Sequence, residues 1–258
     1  MTTPNPSRTE RLLNAKALPL LLSLAAPNAI AFIVQACVNM TEVWYVGQLG
    51  TVSLAAMALM FPMLMLMQML ANGALGGAVT GAIARALGAG NIDDAERLIW
   101  HALMIAAIAG FGFMVLVLST IDPLVGLMSS DAEVLAQSRR YAIVLFSGCP
   151  LLWSMALLVS AYRGMGNMRF PALLVTAGAL LQIPLSGTLI LGWFGVPGMG
   201  IAGAAVSIIT IAGLSTLVLI IGLTRKSSVL KLRLHKATPR SDLFQACLLY
   251  TSPSPRDS

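Results

Sequence analysis

One carboxylate stands inside an otherwise charge-free stretch. Glu42 separates residues 17–41 from residues 43–84, and neither run contains Asp, Glu, Lys or Arg. On a helix turning 100° per residue, Asn28, Gln35, Asn39 and Glu42 fall within about 60° of one another. The residues around them are nearly all apolar. A stripe this narrow belongs against a cavity or other helices, because hydrocarbon offers polar groups no partners. An ionised carboxylate at mid-bilayer costs about 2.5–3.5 kcal/mol on insertion scales, so such a group is protonated, paired or hydrated. A group placed there can take a proton in one conformation and release it in another. Two plainer readings stand beside this one. The stripe can simply hold helices together by hydrogen bonds, or Glu42 can sit in water near the outer interface.

Other residues extend the pattern. Pro27 lies in the same helix, where the missing N–H and the ring clash make a hinge or a static bend. Gln68 and Asn72 are four apart on the second apolar stretch, among Met57, Met60, Met63, Met65, Met67 and Met69. Flexible, polarisable methionine suits a wall that repacks around varied ligands, and equally a core or a lipid face. Gly73, Gly77 and Gly81 recur every four residues and predict a seam for close helix packing. Gln182 and Ser186 share a face farther on, with Pro184 between them. Asn28, Gln35, Gln68, Asn72, Gln182 and Ser186 are the candidate cavity lining. Catalysis finds no support: no paired carboxylates, Ser-His-Asp, Cys-His or zinc spacing is present. Cys37, Cys149 and Cys247 match no metal or disulfide spacing, and His101 and His235 have no ligand partners nearby in sequence. The reading is of no enzyme, no metal and no cofactor.

Helices must position these groups. Charge-free runs cover 17–41, 43–84, 98–121, 141–162 and 170–224, and about 20 apolar residues cross a bilayer. Hydrophobic residues make up 57% of the 258 and charged residues 10%, too few to cover a soluble domain. Mean hydropathy is +0.84. With Glu42 counted inside the membrane, six spans result, at about 18–46, 52–78 (continued to Arg85), 98–120, 130–161, 171–191 and 201–223. Asp93 with Glu96, and Ser130 with Glu133, read as capping boxes. Asp122 and Pro123 read as the stop of the third helix. The Gly/Pro string 192–200 divides the last long run. Residues 1–16 form a polar arm, 17–224 the six-helix lobe and 225–240 a basic connector. Residues 241–258 begin a helix and change abruptly into a string resembling translated adapter sequence, which points to a truncated longer protein. Thirteen of the 16 Lys and Arg fall on one side of the spans, which sets both ends of the lobe in the cytoplasm. The net charge of +6 therefore reflects topology and no nucleic-acid partner.

Four segments in order carry a family resemblance. They are residues 39–50, opening Asn39-Met40-Thr41-Glu42 after Pro27, residues 82–91, opening Ala82-Ile83-Ala84-Arg85, residues 162–171, opening Tyr162-Arg163-Gly164-Met165, and residues 194–205, opening Phe194-Gly195-Val196-Pro197. Together they resemble the N-terminal half of multidrug and toxic compound extrusion (MATE) transporters. The resemblance implies an all-α membrane protein, with this chain as one six-helix lobe of a twelve-helix, two-lobe antiporter. It implies export of cationic or amphipathic small molecules across a bacterial inner membrane, coupled to H+ or Na+ entry. The missing C-terminal lobe would be the principal partner beside lipid. The family's first-helix acid falls on Glu42, with Asn39 in place. Its fifth-helix Asn and Asp fall on Gln182 and Ser186, so the second acid is absent. Two alternatives remain: a lipid-linked substrate flippase of related architecture, or a non-transporting scaffold or inactive fragment.

Overall fold

The computed structural model describes residues 17–224 and Leu230, with the side chains of 17–28 and 31 excepted. The arm 1–16, most of the connector 225–240 and the tail 241–258 lie outside the described residues, as do the side chains of Pro27 and Asn28. The described chain is helical throughout, with no strand. Helix α1 covers Ala17–Gly47, α2 Thr51–Gln68, a π-helical segment Met69–Leu75, and α3 Gly76–Gly88. Then follow α4 (Ile92–Met128), α5 (Ala132–Ser147), α6 (Cys149–Gly164), α7 (Arg169–Leu191) and α8 (Ile201–Thr224).

These elements supply up to five spans by length and composition among the described residues, and α1 is counted as the sixth. Thr51–Gly88, α4, α7 and α8 are each long and apolar enough to cross a membrane, and α5 with α6 forms a further span bent by 48°. Helix α1, with 31 residues, carries the charge-free run 17–41 and completes the set. Short turns reverse the chain between spans. The loop after α7 turns on Gly192, whose φ of 81° lies in the left-handed region that only glycine adopts without cost. Helices α6 and α8 stand at the centre. The former packs on α3, α4 and α8, the latter on α5, α6 and α7. Helix α1 docks chiefly on α7 and touches its sequence neighbour α2 much less.

Two close approaches bind the bundle. A methyl on Gly110 of α4 would lie 2.8 Å from the Cα of Pro150 on α6. One on Gly203 of α8 would lie 2.4 Å from the Leu189 carbonyl oxygen of α7. Both contacts are with backbone, so these helices touch as small-residue membrane interfaces do.

Several sequence expectations fail in instructive ways. The third helix does not stop at Asp122–Pro123 but runs five residues past it with Pro123 inside. The carbonyls freed by proline near a helix end are easily re-satisfied. Its cap is Asn91, which accepts from the Asp94 N–H, and not Asp93. At the next start Asp131, not Ser130, caps the helix, accepting from the N–H groups of Glu133 and Val134. The fourth span is not one rod: Gly148 breaks it, with Pro150 in the first turn beyond. Gly73, Gly77 and Gly81 do not form the expected seam. Added methyls at Gly73 and Gly77 meet nothing within 4 Å, whereas Gly76 abuts Ser160. The π segment inserts extra residues per turn and so rotates which face of the helix meets the bundle.

At the loop end of α4 and α5, Arg139 and Asp122 pair at 2.9 Å. Both side chains are more than half exposed. Such pairs contribute about 0–1 kcal/mol. Asp122→Asn is accordingly expected to leave the detergent melting temperature within experimental scatter; a clear fall would show that the pair is a structural clamp.

Candidate functional site

Helix α1 presents Val38, Glu42, Tyr45 and Val46 to the bundle, a ridge at spacings of three and four. Glu42 is 4% exposed, so the carboxylate points inward, away from lipid and from open water. Gln182 Nε2 donates to Glu42 Oε1 at 2.7 Å. Ser186 Oγ donates to the same oxygen at 3.4 Å. The two donors sit one turn apart on α7, which is why their four-residue spacing converges on one atom. Pro184 lies between them inside the helix. From α8, the Ser207 hydroxyl stands within reach of the carboxylate while also 2.7 Å from the Ala204 carbonyl. Tyr141 of α5 is fully buried within electrostatic reach of Glu42, and its hydroxyl has no hydrogen-bond partner among the described residues.

Four helices thus converge on one carboxylate, and among the described residues no Lys or Arg pairs with it. Taking a carboxylate out of water without a counter-charge costs several kcal/mol, which two or three neutral donors offset only in part. The arrangement is short of one positive charge. A proton or a small monovalent cation is the chemistry that would supply it. No group of three or more His, Cys, Asp or Glu side chains suited to a metal ion occurs among the described residues.

The remaining candidates separate into two groups. Gln182 and Ser186 are buried and belong to the Glu42 cluster. Asn39 and Gln35 do not join it: Gln35 Nε2 donates to Asn39 Oδ1 at 3.1 Å, at the exposed edge of the same helix face. On the helix wheel Glu42 lies at one margin of the stripe and Asn39 at the other, and only the Glu42 margin enters the bundle. Gln68 and Asn72 are also exposed, and Asn72 donates to the Gln68 carbonyl at 3.3 Å. The Met-rich helix divides likewise: Met60 and Met67 are core, while Met65 and Met69 are exposed. Met67 receives a contact from the buried Cys149 thiol at 3.4 Å.

Sequence reasoning missed Tyr141 and Ser207. Ser207 is a lone polar residue in an apolar run and Tyr141 opens one directly after Arg139 and Arg140, signals too common to single out. Only the packing of α5 and α8 brings them to Glu42.

Residues 27–188 match the family model described as MatE. Among curated proteins, the chain is 29% identical to the FAD transporter of Shewanella oneidensis, over 76% of this chain and 43% of that protein. It is 32% identical to the multidrug resistance protein PmpM of Pseudomonas aeruginosa, over 73% of this chain and 42% of that one. A solved MOP superfamily transporter from Pyrococcus furiosus superposes with a TM-score of 0.82 at 26% identity, covering 95% of this chain and 53% of that structure. The chain therefore spans about half the length of the relatives it matches.

Proposed function

The chain belongs to the MatE family of multi-pass membrane transporters, and from that premise we propose that it forms the ion-coupling lobe of an antiporter exporting amphipathic small molecules. The observation that carries this is the burial of Glu42 among Gln182, Ser186, Ser207 and Tyr141 with no basic partner among the described residues. Proton entry is the favoured coupling. A sodium ion would need several oxygen acceptors around it, whereas Gln182 and Ser186 both turn donors toward the acid. Oε2, which neither of them engages, is the oxygen to carry the proton. Protonation would remove the uncompensated charge and turn the charge-assisted bonds from Gln182 and Ser186 into weaker neutral ones, so that α1 and α7 can rearrange at this point. Because α1 is held mainly by α7, loosening this contact frees the helix to move, with Pro27 as the hinge. Both ends of the lobe face the cytoplasm of a bacterial inner membrane in this reading, since Arg85, Arg97, Arg163 and Arg169 cluster at one end of the bundle and only Arg139 and Arg140 at the other.

The substrate surface is the exposed amide set Asn39, Gln68 and Asn72 with Met65 and Met69, which would face the second lobe of the complete transporter. It holds no carboxylate. A second reading follows from that absence of charge and from the Shewanella relative: flavin-class molecules, whose rings offer hydrogen bonds and an apolar face, fit such a surface as well as cations do. Reconstitution of the full-length protein tests both. Vesicles with an imposed pH gradient should show efflux of a fluorescent amphipathic cation or of FAD, and an equal sodium gradient alone should not. Efflux driven equally by sodium alone would reject proton coupling.

A further inference from the structure

Between the Glu42 carboxylate and the nearer end of the lobe lies a second, purely aromatic arrangement. Glu42 is five residues from the end of α1, about 7.5 Å along the axis. Tyr45 follows it by less than one turn on the same helix face and is 4% exposed. Trp193, in the short 3₁₀ turn Trp193–Gly195 beyond α7, meets Tyr45 edge to face, with ring centroids 5.4 Å apart and planes at 88°. The two rings meet over Gly187, the residue directly after Ser186. A methyl there would lie 2.6 Å from Trp193 Cζ3 and 3.0 Å from Tyr45 Cζ. The glycine is therefore a socket into which both rings fit. Trp193 is 38% exposed, so its outer edge reaches the surface while Tyr45 forms the inner layer. Exposed Trp44 and Phe194 flank the pair. Aromatic residues of this kind gather at the membrane–water boundary.

We propose that Tyr45 and Trp193, seated over Gly187, form a plug that controls solvent access to Glu42 from the end of the lobe carrying Arg139 and Arg140. Edge-to-face rings hold each other more tightly than their buried area alone implies, yet the contact involves only two side chains. Trp193 rides on a loop and Tyr45 on α1, so a movement of α1 along α7 separates them without unfolding either helix. The plug gives the acid two states: sealed while the rings meet, and in contact with water when they part. It regulates the site that the proposed coupling mechanism uses, but access to the acid is measurable without any transport.

Labelling of the protein in membranes with a water-soluble carbodiimide and glycinamide, read peptide by peptide by mass spectrometry, tests this. In Trp193→Ala and in Tyr45→Ala, Glu42 should label at least roughly tenfold faster than in the parent, as expected when a local opening loses its packed ring pair. Tyr45→Phe, which keeps the ring, should match the parent. Exposed Asp131 and Glu133 calibrate the reagent, and Glu96, buried toward the other end, reports global loosening. Unchanged Glu42 labelling in either alanine variant would overturn the proposal. So would Glu96 labelling that rises together with Glu42. Failure here would leave the coupling role of Glu42 standing, and loss of that role in transport would leave the plug standing.

Discussion

Glu42→Gln is expected to abolish gradient-driven efflux by the full-length transporter and to leave the lobe folded. Glutamine has nearly the same shape, so the ridge Val38, Glu42, Tyr45 and Val46 still packs. Its amide oxygen can still accept from Gln182 Nε2, which now donates to Oε1. What disappears is the ability to change charge. A neutral side chain has nothing to gain from a proton, so α1 and α7 no longer have two states that a pH gradient can bias. Efflux should fall to that of empty vesicles, while the melting temperature in detergent should hold or rise, because a buried uncompensated charge has been removed. Normal efflux in this variant would end the coupling role of Glu42, whatever the geometry around it.

Gly203→Ala is expected to damage the fold more than any other single methyl. The added carbon would lie 2.4 Å from the Leu189 carbonyl oxygen, 2.5 Å from its carbon and 2.8 Å from the Ile190 nitrogen. All three are backbone atoms of α7, so no side chain can rotate out of the way. Helices α7 and α8 must move apart along their length, at a cost of about 1–3 kcal/mol as in other overpacked interiors. The same movement would draw Ser207 away from Gln182 and Ser186, so the Glu42 cluster should loosen as well. A lowered melting temperature together with reduced efflux is the expected pair of results. Gly47→Ala, where a methyl meets nothing within 4 Å, provides the matched control. Equal melting temperatures for the two variants would show that the α7–α8 contact yields more easily than its geometry implies.

The six-span plan was legible because bilayer thickness and charge exclusion act on composition alone. Residues 192–200 divided the fifth and sixth spans where the glycines and proline said they would. Inside the spans, local signals gave way to tertiary context. Pro123 read as a stop because a proline usually ends a helix, but α4 continues through it near its end, where few backbone bonds are lost. The glycine row 73, 77 and 81 assumed an unbroken 3.6-residue period, which the π segment Met69–Leu75 interrupts. At the site, the structure buries Glu42 with Gln182 and Ser186, yet Asn39 on the same stripe accepts from Gln35 instead. Periodicity places residues on a face to within about 60°. It cannot say where on that face the bundle ends. Tyr141 and Ser207 were invisible for a different reason, since contacts between distant helices leave no trace in the local sequence.

The bond between Glu42 and Gln182 joins residues 140 positions apart. A ribosome adding about 5–20 residues per second needs roughly 7 to 28 seconds to cover that distance. During this interval the first helix is already made and its acid has no donor to meet. The nascent chain must keep that segment at the translocon, at the lipid boundary or protonated until the fifth helix emerges. Synthesis that stalls before Gln182 would leave an unaccompanied acid in the bilayer, a mark by which membrane proteases can distinguish an unfinished lobe from a finished one.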